Sequence, residues 1–432
     1  MLDHRLVDDD LEQVARGLAR RHLPATLAGD LARVVQARRQ AIAGADALRH
    51  EMKQAAAQVG ALARAGRDDE VEGARGTLQA LKARIQAAEA ARDGAQAAFV
   101  AMLETLPNLP GAEVPDGADA EANVEVGRWG EPASWDFPPR PHWELAEAAG
   151  ALDLAAAARL SGARFAVLRG GLAELQRGLA ALMLQIASRH GYQEVDVPLL
   201  VHPQAMWNAG QYPKFRGDAF ATEGHEHVLL PTAEVALVGL WQDTIVDAER
   251  LPVRTCAWTP CFRRESGAAG RDTRGLVRLH QFHKVELVSV AHPEQAADEH
   301  LAMRGHAEAV LRALELPYRV VELCAGDLGF AAARTFDLEV WLPAEGAYRE
   351  ISSVSTCGDF QARRAQIRWR AAGAAGRPRL AHTLNGSALA VGRALVAVLE
   401  NGQRPDGSVR LPAALAPWLG GARGLDPGGA LA

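Results

Sequence analysis

Apolar residues recur at heptad spacing through two long stretches of this chain. In the first, Leu31, Arg38, Ala45, Met52 and Val59 hold one seam position and Val34, Ala41, Leu48, Ala55 and Leu62 the other. The pattern breaks at Ala65-Gly66-Arg67-Asp68-Asp69, a turn. It resumes with Val71, Leu78, Ile85 and Phe99 beside Ala74, Leu81, Ala88, Ala95 and Met102. Two helices of similar length joined by a tight turn predict an antiparallel hairpin. At ~1.5 Å per residue, each helix reaches about 45–50 Å, too far to fold back into a compact domain. The many alanines let the helices approach closely. On periodicity alone, a dimerising coiled coil or a plain helical bundle explains the pattern as well as a binding arm does.

The pattern then changes. Leu106-Pro107-Asn108-Leu109-Pro110 ends the second helix, and residues up to Asn123, with Gly111, Pro115, Gly117 and several acids, read as a surface linker. Leu172, Leu175, Leu179, Leu182, Met183 and Ile186 form a helical stripe that stops at His190-Gly191. Tyr192 to Leu200 follows as a strand interrupted by Pro198. A second apolar run ends in Thr232-Ala233-Glu234, where Thr232 suits the N-cap of a helix carrying Val235, Leu237, Leu240 and Trp241. Glu339 to Ser355 predicts a hairpin turning at Pro343-Ala344-Glu345-Gly346. Within it Glu350 and Ser352 share a face, with Ser353 opposite unless a bulge intervenes. Asn385-Gly386-Ser387 reads as a turn before a helix that holds Arg393 in its first turns. The Pro- and Gly-rich end of the chain predicts a flexible tail over 419–432.

The most informative alternation lies between Thr255 and Val290. Two strands flank a loop from Ser266 to Gly275. In the second strand Val277, Leu279, Val285 and Leu287 share one face, and Arg278, His280, Phe282, Lys284 and Glu286 share the other. In the first, Arg263 and Glu265 fall together. A solvated, salt-bridged surface would show the same alternation. An aromatic ring, a carboxylate, an Arg and a cationic loop on one polar face also suit a nucleotide, with Arg for phosphate, Phe for stacking and Glu to accept from an amino group.

Composition narrows the class. The 432 residues are too many for one ordinary domain, and the formal charge of −6 provides no global pull toward nucleic acid, so any RNA site must be a local basic patch. Four cysteines, Cys256, Cys261, Cys324 and Cys357, argue against a disulfide framework and for a reducing compartment. Cys256 and Cys261 lack the second closely spaced pair of a zinc site, so no zinc is expected and buried strand thiols are. MLDHRLVDDD has no secretory pattern, and no apolar run reaches about 18 residues, which predicts a soluble cytoplasmic protein without a membrane partner. No G-x-x-x-x-G-K-[ST] occurs, so a P-loop is not the nucleotide site.

Phe262 to Glu286, FRRESGAAGRDTRGLVRLHQFHKVE, resembles motif 2 of the class II aminoacyl-tRNA synthetases and specifically of the seryl-tRNA synthetases. The likeness runs from MLDHRLV through the Pro-Asn-Leu-Pro junction, Thr-Ala-Glu, Glu-Ile-Ser-Ser and HTLNGSALAVGR. The resemblance implies an α+β chain: a long antiparallel helical hairpin, then a class II catalytic domain on an antiparallel β-sheet flanked by helices. The implied bounds are 1–106 for the tRNA-binding arm domain, 107–123 for a linker and 124–418 for the catalytic domain. It further implies a homodimer built on the helix and strand around Pro198.

The same resemblance implies the chemistry. ATP and L-serine give seryl-adenylate and pyrophosphate, and the seryl group passes to the 3′-end of tRNA(Ser), with tRNA(Sec) open as a second acceptor. Arg263 would bind the α-phosphate and Arg393 the γ-phosphate. Arg264, Glu265, Phe282, Glu350, Ile351, Ser352 and Ser353 complete the ATP site, with Mg²⁺ on Glu350 and Ser353. Thr232, Ala233, Glu234, Glu286, Asn385 and Ser387 would enclose serine. Arg49, Lys53, Arg64, Arg67, Arg75, Lys82 and Arg84 are the candidate tRNA contacts on the arm. The chain departs from the family pattern at Met52 to Ala57, where an Arg-Asn-x-x-Ser-Lys run is usual, and at Val354 and Thr356, where Cys and Asn are. Two other readings stay open: a specialised relative with a different acceptor or a metabolite role, and a non-catalytic RNA-binding relative.

Overall fold

The computed structural model describes residues 1–265, 274–371 and 376–432. Most of the loop read at Ser266 to Gly275 therefore lies outside the described residues. The chain divides into two compact units, one of residues 2–107 and one of residues 108–432 together with Met1.

In the first unit, helices α1 (Ala25–Arg64) and α2 (Asp68–Thr105) run 40 and 38 residues and pack along each other. Leu31 and Ala45 of one seam face Val71, Leu81 and Phe99 of the other as the buried stripe. Val35, outside the seam, is also buried, and the short helix Leu11–Arg20 packs against α1. Gly66, at φ +68°, closes the turn between the long helices.

The second unit is built on eight strands. They are β1 (Val124–Trp129), β2 (Gln193–Glu194), β3 (Val253–Phe262), β4 (Gln281–Ala291), β5 (Tyr318–Glu322), β6 (Arg334–Leu342), β7 (Ala347–Gly358) and β8 (His382–Ala390). Their spatial order is β1-β5-β6-β7-β8-β4-β3-β2, antiparallel throughout except for the β2–β3 edge pair. One face is covered by helices α4 (Gly170–Arg189), α6 (Ala296–Ala313) and α8 (Val391–Gly402), whose stripes join Val285, Leu287, Phe336 and Leu384 in the main core. On the other face α5 (Ala233–Gly239) and α7 (Phe360–Ala365) pack over Val288 and Val290 and leave a cleft beside them. A further short helix, α3 (His142–Ala148), sits against α8.

Several local readings change. The strand expected over Tyr192 to Leu200 splits into β2 and a separate two-residue pairing at Leu200–Val201, since Pro198 has no N–H to continue a ladder. Asn385-Gly386-Ser387 is the middle of β8, bonded on both sides, and a Cβ on Gly386 would stand 3.0 Å from Val354 Cγ2. The stretch 108–123 is laid against its unit: Asn108 Nδ2 donates to the carbonyls of Ala331 and Cys357, both at 2.9 Å, and Val114 is buried with Leu323 and Leu328. The expected flexible tail is packed as well. Leu425 is buried, pairs with Val409 and bridges to Leu431, because its leucines find the groove beside α4.

Candidate active site

The cleft has a volume of about 860 Å³ and takes one wall from each motif singled out above. Thr232, Glu234, Arg263, Glu265, Phe282, Glu286, Glu350, Ile351, Ser352, Ser353, Asn385, Ser387 and Arg393 all line it, although they come from five separate stretches of chain. Two expected residues do not bring their side chains there. Ala233 is buried in the core under α5, and Arg264 turns outward, with its guanidinium 5.1 Å from the Phe220 ring and its N–H on the Asp218 carbonyl at 2.9 Å. Consecutive residues of an extended chain point to opposite sides, so Arg263 and Arg264 cannot both face the cleft.

One end of the cleft is a dense acid–base cluster. Glu286 lies across from Ser387 on β8 and from Ala257 on β3. The Thr232 hydroxyl donates to Glu286 Oε2 at 3.1 Å, accepts from Lys284 Nζ at 3.0 Å and caps α5 by accepting the Glu234 N–H at 3.3 Å. Those three bonds use the full capacity of a hydroxyl. Lys284 also forms an ion pair with Glu286. Glu234 Oε1 accepts from Gln361 Nε2 at 2.6 Å and from Asn385 Nδ2 at 3.1 Å. Gln361 is held in turn by Thr383 Oγ1 at 2.7 Å. Burial first, and the Glu286 charge second, push the Glu234 carboxyl up to about 7, against the opposing pull of Lys284 and the Gln361 bond.

The other end is cationic and aromatic. Arg263 Nε donates to the Pro231 carbonyl at 3.0 Å, and its guanidinium sits 5.3 Å from the centroid of Phe282. β3 ends at Phe262, and Glu265 turns back at φ +51°, so it does not continue the strand face with Arg263. Arg278 Nη1 holds its carboxylate at 2.5 Å. β4 begins only at Gln281, which is why Val277 and Leu279 line the cleft alongside Arg278 and do not alternate with it. His280 stays outside, its Nδ1 bonded to the Arg263 carbonyl at 3.0 Å. Arg393, in the first turn of α8, donates from Nη1 to the Glu350 carbonyl at 2.6 Å and stands 3.6 Å from its carboxylate.

A bulge between Glu350 and Ser352 shifts the β6–β7 register, so Glu350 and Ser353 both reach the cleft. The Ser352 hydroxyl is committed to the Ser387 carbonyl at 2.7 Å and ties β7 to β8. Ser353 faces Asp337 across the register. Burial and the Glu350 charge hold the Asp337 carboxyl well above the usual carboxylate range, and its Oδ1 is buried with no hydrogen-bond partner among the described residues. Glu350 and Ser353, which both line the cleft, offer hard oxygen donors of the kind that suit a divalent cation such as Mg²⁺ brought in with other oxygen ligands.

Lys284 and Arg278 line this site, and Gln361 and Asp337 stand behind it against Glu234 and Ser353, although no role was read for them in the sequence. Lys284 and Arg278 stood on the polar face of the 277–287 alternation and were legible there. Gln361 and Asp337 carry no local signal.

On the arm, Arg49 pairs with Glu89 at 2.7 Å, Arg75 with Glu72 at 3.4 Å and Arg84 with Glu51 at 3.5 Å. Arg67 pairs with Glu70, and Arg64 Nε donates to the Gly60 carbonyl at 3.0 Å. Lys53 and Lys82 are exposed. Exposed ion pairs are worth about 0–1 kcal/mol, so phosphate can displace these acids at little cost.

Comparison with known proteins places both units. Residues 1–110 match the family described as the seryl-tRNA synthetase N-terminal domain, and residues 215–402 match the tRNA synthetase class II core domain (G, H, P, S and T). The chain is 49% identical over 426 residues to the serine–tRNA ligase of Acidithiobacillus ferrooxidans, covering 98% of this chain and 99% of that one. It is 48% identical to the serine–tRNA ligase of Maricaulis maris over 99% of this chain and all of the relative. The crystal structure of seryl-tRNA synthetase from Pyrococcus horikoshii complexed with ATP superposes with a TM-score of 0.92 at 33% identity, covering 98% of this chain and 99% of that one.

Proposed function

The chain belongs to the seryl-tRNA synthetase family of class II, and from that membership we propose the following division of labour in its cleft. It is an ATP-dependent serine–tRNA ligase. The serine carboxylate attacks the α-phosphorus of ATP, a bond from a carboxylate oxygen to that phosphorus forms as the bond to pyrophosphate breaks, and the terminal hydroxyl of tRNA then attacks the seryl carbonyl, giving up its proton as AMP leaves. No side-chain nucleophile is needed; the protein positions reactants and neutralises charge.

Arg263 binds the α-phosphate and Arg393 the γ-phosphate. Adenine stacks on Phe282, and Glu265, steadied by Arg278, accepts from its amino group. Glu286, Glu234, Thr232, Asn385 and Ser387 enclose serine. Mg²⁺ arriving with ATP would be held by Glu350 and Ser353 and would supply charge neutralisation across the phosphates. The observation that supports this reading most is the cross-strand pair of Glu286 and Ser387. It places a carboxylate and a hydroxyl side by side at the acidic end of a cleft whose other end presents Arg263, Phe282 and Arg393.

Domain roles follow the same lines: 2–107 grips tRNA(Ser), and the second unit performs adenylation. The chain works as a cytoplasmic homodimer, for which the exposed Leu199 and Leu200 beside Pro198 supply apolar surface. No helix among the described residues is long and apolar enough to cross a membrane. Pyrophosphate exchange with each amino acid in turn, followed by charging of serine tRNA, tests the proposal. Exchange with serine and no charging would favour a different acceptor.

A further inference from the structure

His142 and Glu400 form a buried pair outside the residues assigned to the substrates. Their side chains are 0% and 1% exposed. Glu400, near the end of α8, accepts the His142 backbone N–H at 3.1 Å and the ring Nδ1–H at 2.9 Å, both on Oε1. The other ring nitrogen, Nε2, accepts the backbone N–H of Leu276 at 3.0 Å. An imidazole that takes a hydrogen bond at Nε2 and gives one at Nδ1 is neutral and held in a single tautomer. Glu400 Oε2 accepts the N–H of Ala344, in the turn between β6 and β7, at 3.2 Å.

Each of these bonds leads into a segment that serves the nucleotide end of the cleft. Leu276 precedes Val277, whose carbonyl receives Arg393 Nε at 3.4 Å, and Arg278, which holds Glu265. Ala344 leads into the strand bearing Glu350. Helix α8 carries both Glu400 and Arg393. The backbone is also pressed onto the imidazole where it enters the cleft: a Cβ on Gly275, which sits at φ +78°, would lie 2.2 Å from His142 Nε2 and 2.9 Å from Trp143 Cε3.

We propose that His142, oriented by Glu400, is a positioning residue for ATP, acting through the Leu276 N–H to set residues 276–278 against Arg393. The inference rests on the reading that this cleft binds ATP. Serine-dependent pyrophosphate exchange tests it, with Michaelis constants taken for ATP and serine separately. His142→Asn keeps a donor for Glu400 but falls short of Leu276. It should raise the ATP constant by roughly tenfold, the worth of one buried hydrogen bond, and leave the serine constant within about twofold. His142→Gln, whose amide oxygen reaches the Nε2 position, should restore the ATP constant to within about threefold of the parent.

A folded Asn variant with the parental ATP constant, equal rises for both substrates, or failure of Gln to rescue would each overturn the proposal. If the Asn variant does not fold, Gly275→Ala decides: it leaves the buried pair in place and forces the peptide off the ring. An ATP-selective defect there supports positioning, and a parental ATP constant refutes it. Unfolding of all three variants refutes it too, in favour of a purely structural staple. Absence of serine-dependent exchange in the parent chain is a separate result, which defeats the reading of the cleft itself.

Discussion

Ser387 stands directly across from Glu286 in the antiparallel register of β8 and β4, and Ser352 donates to the carbonyl of that same Ser387 at 2.7 Å. The strand that presents the hydroxyl is therefore fixed from both neighbours. Directly opposed residues on an antiparallel pair share one face with Cβ atoms about 4.5–5.5 Å apart. A small polar group entering there meets a carboxylate and a hydroxyl side by side.

Glu286→Ala should accordingly raise the Michaelis constant for serine far more than that for ATP and weaken discrimination against alanine. Sites built to bond a hydroxyl reject the analogue lacking it by roughly 10⁴ or more, and that margin is what the variant loses. Steady-state exchange with both amino acids measures it. Equal effects on serine and ATP would instead make Glu286 a support for the sheet.

Arg263→Ala and Arg393→Ala should each lower adenylate formation by two or more orders of magnitude with melting unchanged. Removing one preorganised donor to developing charge costs about 3 kcal/mol. Exchange at the parental rate in either folded variant removes that residue from the phosphate site.

A pH dependence follows from Glu234. Its carboxyl titrates near 7 in the folded chain against 4.5 when unperturbed. Between those values the folded state holds a proton that the unfolded state has released, so stability declines as pH rises through the window and is flat above it. Glu234→Gln keeps an oxygen for the Gln361 and Asn385 amides and should remove that slope. In the parent, the serine constant should fall as pH rises through 7, since the substrate ammonium prefers the ionised carboxylate. Melting curves and serine kinetics from pH 5 to 8.5 check both statements.

Deleting residues 38–96 and joining the stumps with a short Gly/Ser linker should preserve adenylate synthesis, because every residue proposed to hold nucleotide or serine lies in the other unit. The packed helices stand about 8–10 Å apart, a gap such a linker spans. Charging of tRNA should fall by orders of magnitude, and what remains should depend less steeply on salt, since the arm's phosphate contacts are gone. Charging at the parental level would leave the hairpin as a structural or oligomerising element.

The parts of this protein legible in its sequence are those where local pattern and tertiary demand agree. The seam from Leu31 to Met102 gave the hairpin, since nothing but helix packing competes with a heptad that long. The alternation at Phe282, Lys284 and Glu286 gave one wall of the cleft. Asn385-Gly386-Ser387 was misread because Asn-Gly-Ser is turn chemistry in isolation. Here pairing on both sides wins, and the glycine is needed for close approach to Val354. The Ile351 bulge and the backward turn at Glu265 are backbone choices that no side-chain period encodes. Gln361 reaches Glu234 across 127 residues and His142 reaches Glu400 across 258, separations at which only the folded chain reveals a neighbour.

The ion pair between Lys284 and Glu286 gives the pocket the character of an ion exchanger. The carboxylate already carries a resident ammonium, tethered to the chain by a four-carbon stem. Any cationic group brought to this carboxylate must compete with that tethered ammonium, so its binding is measured against an ion already in place.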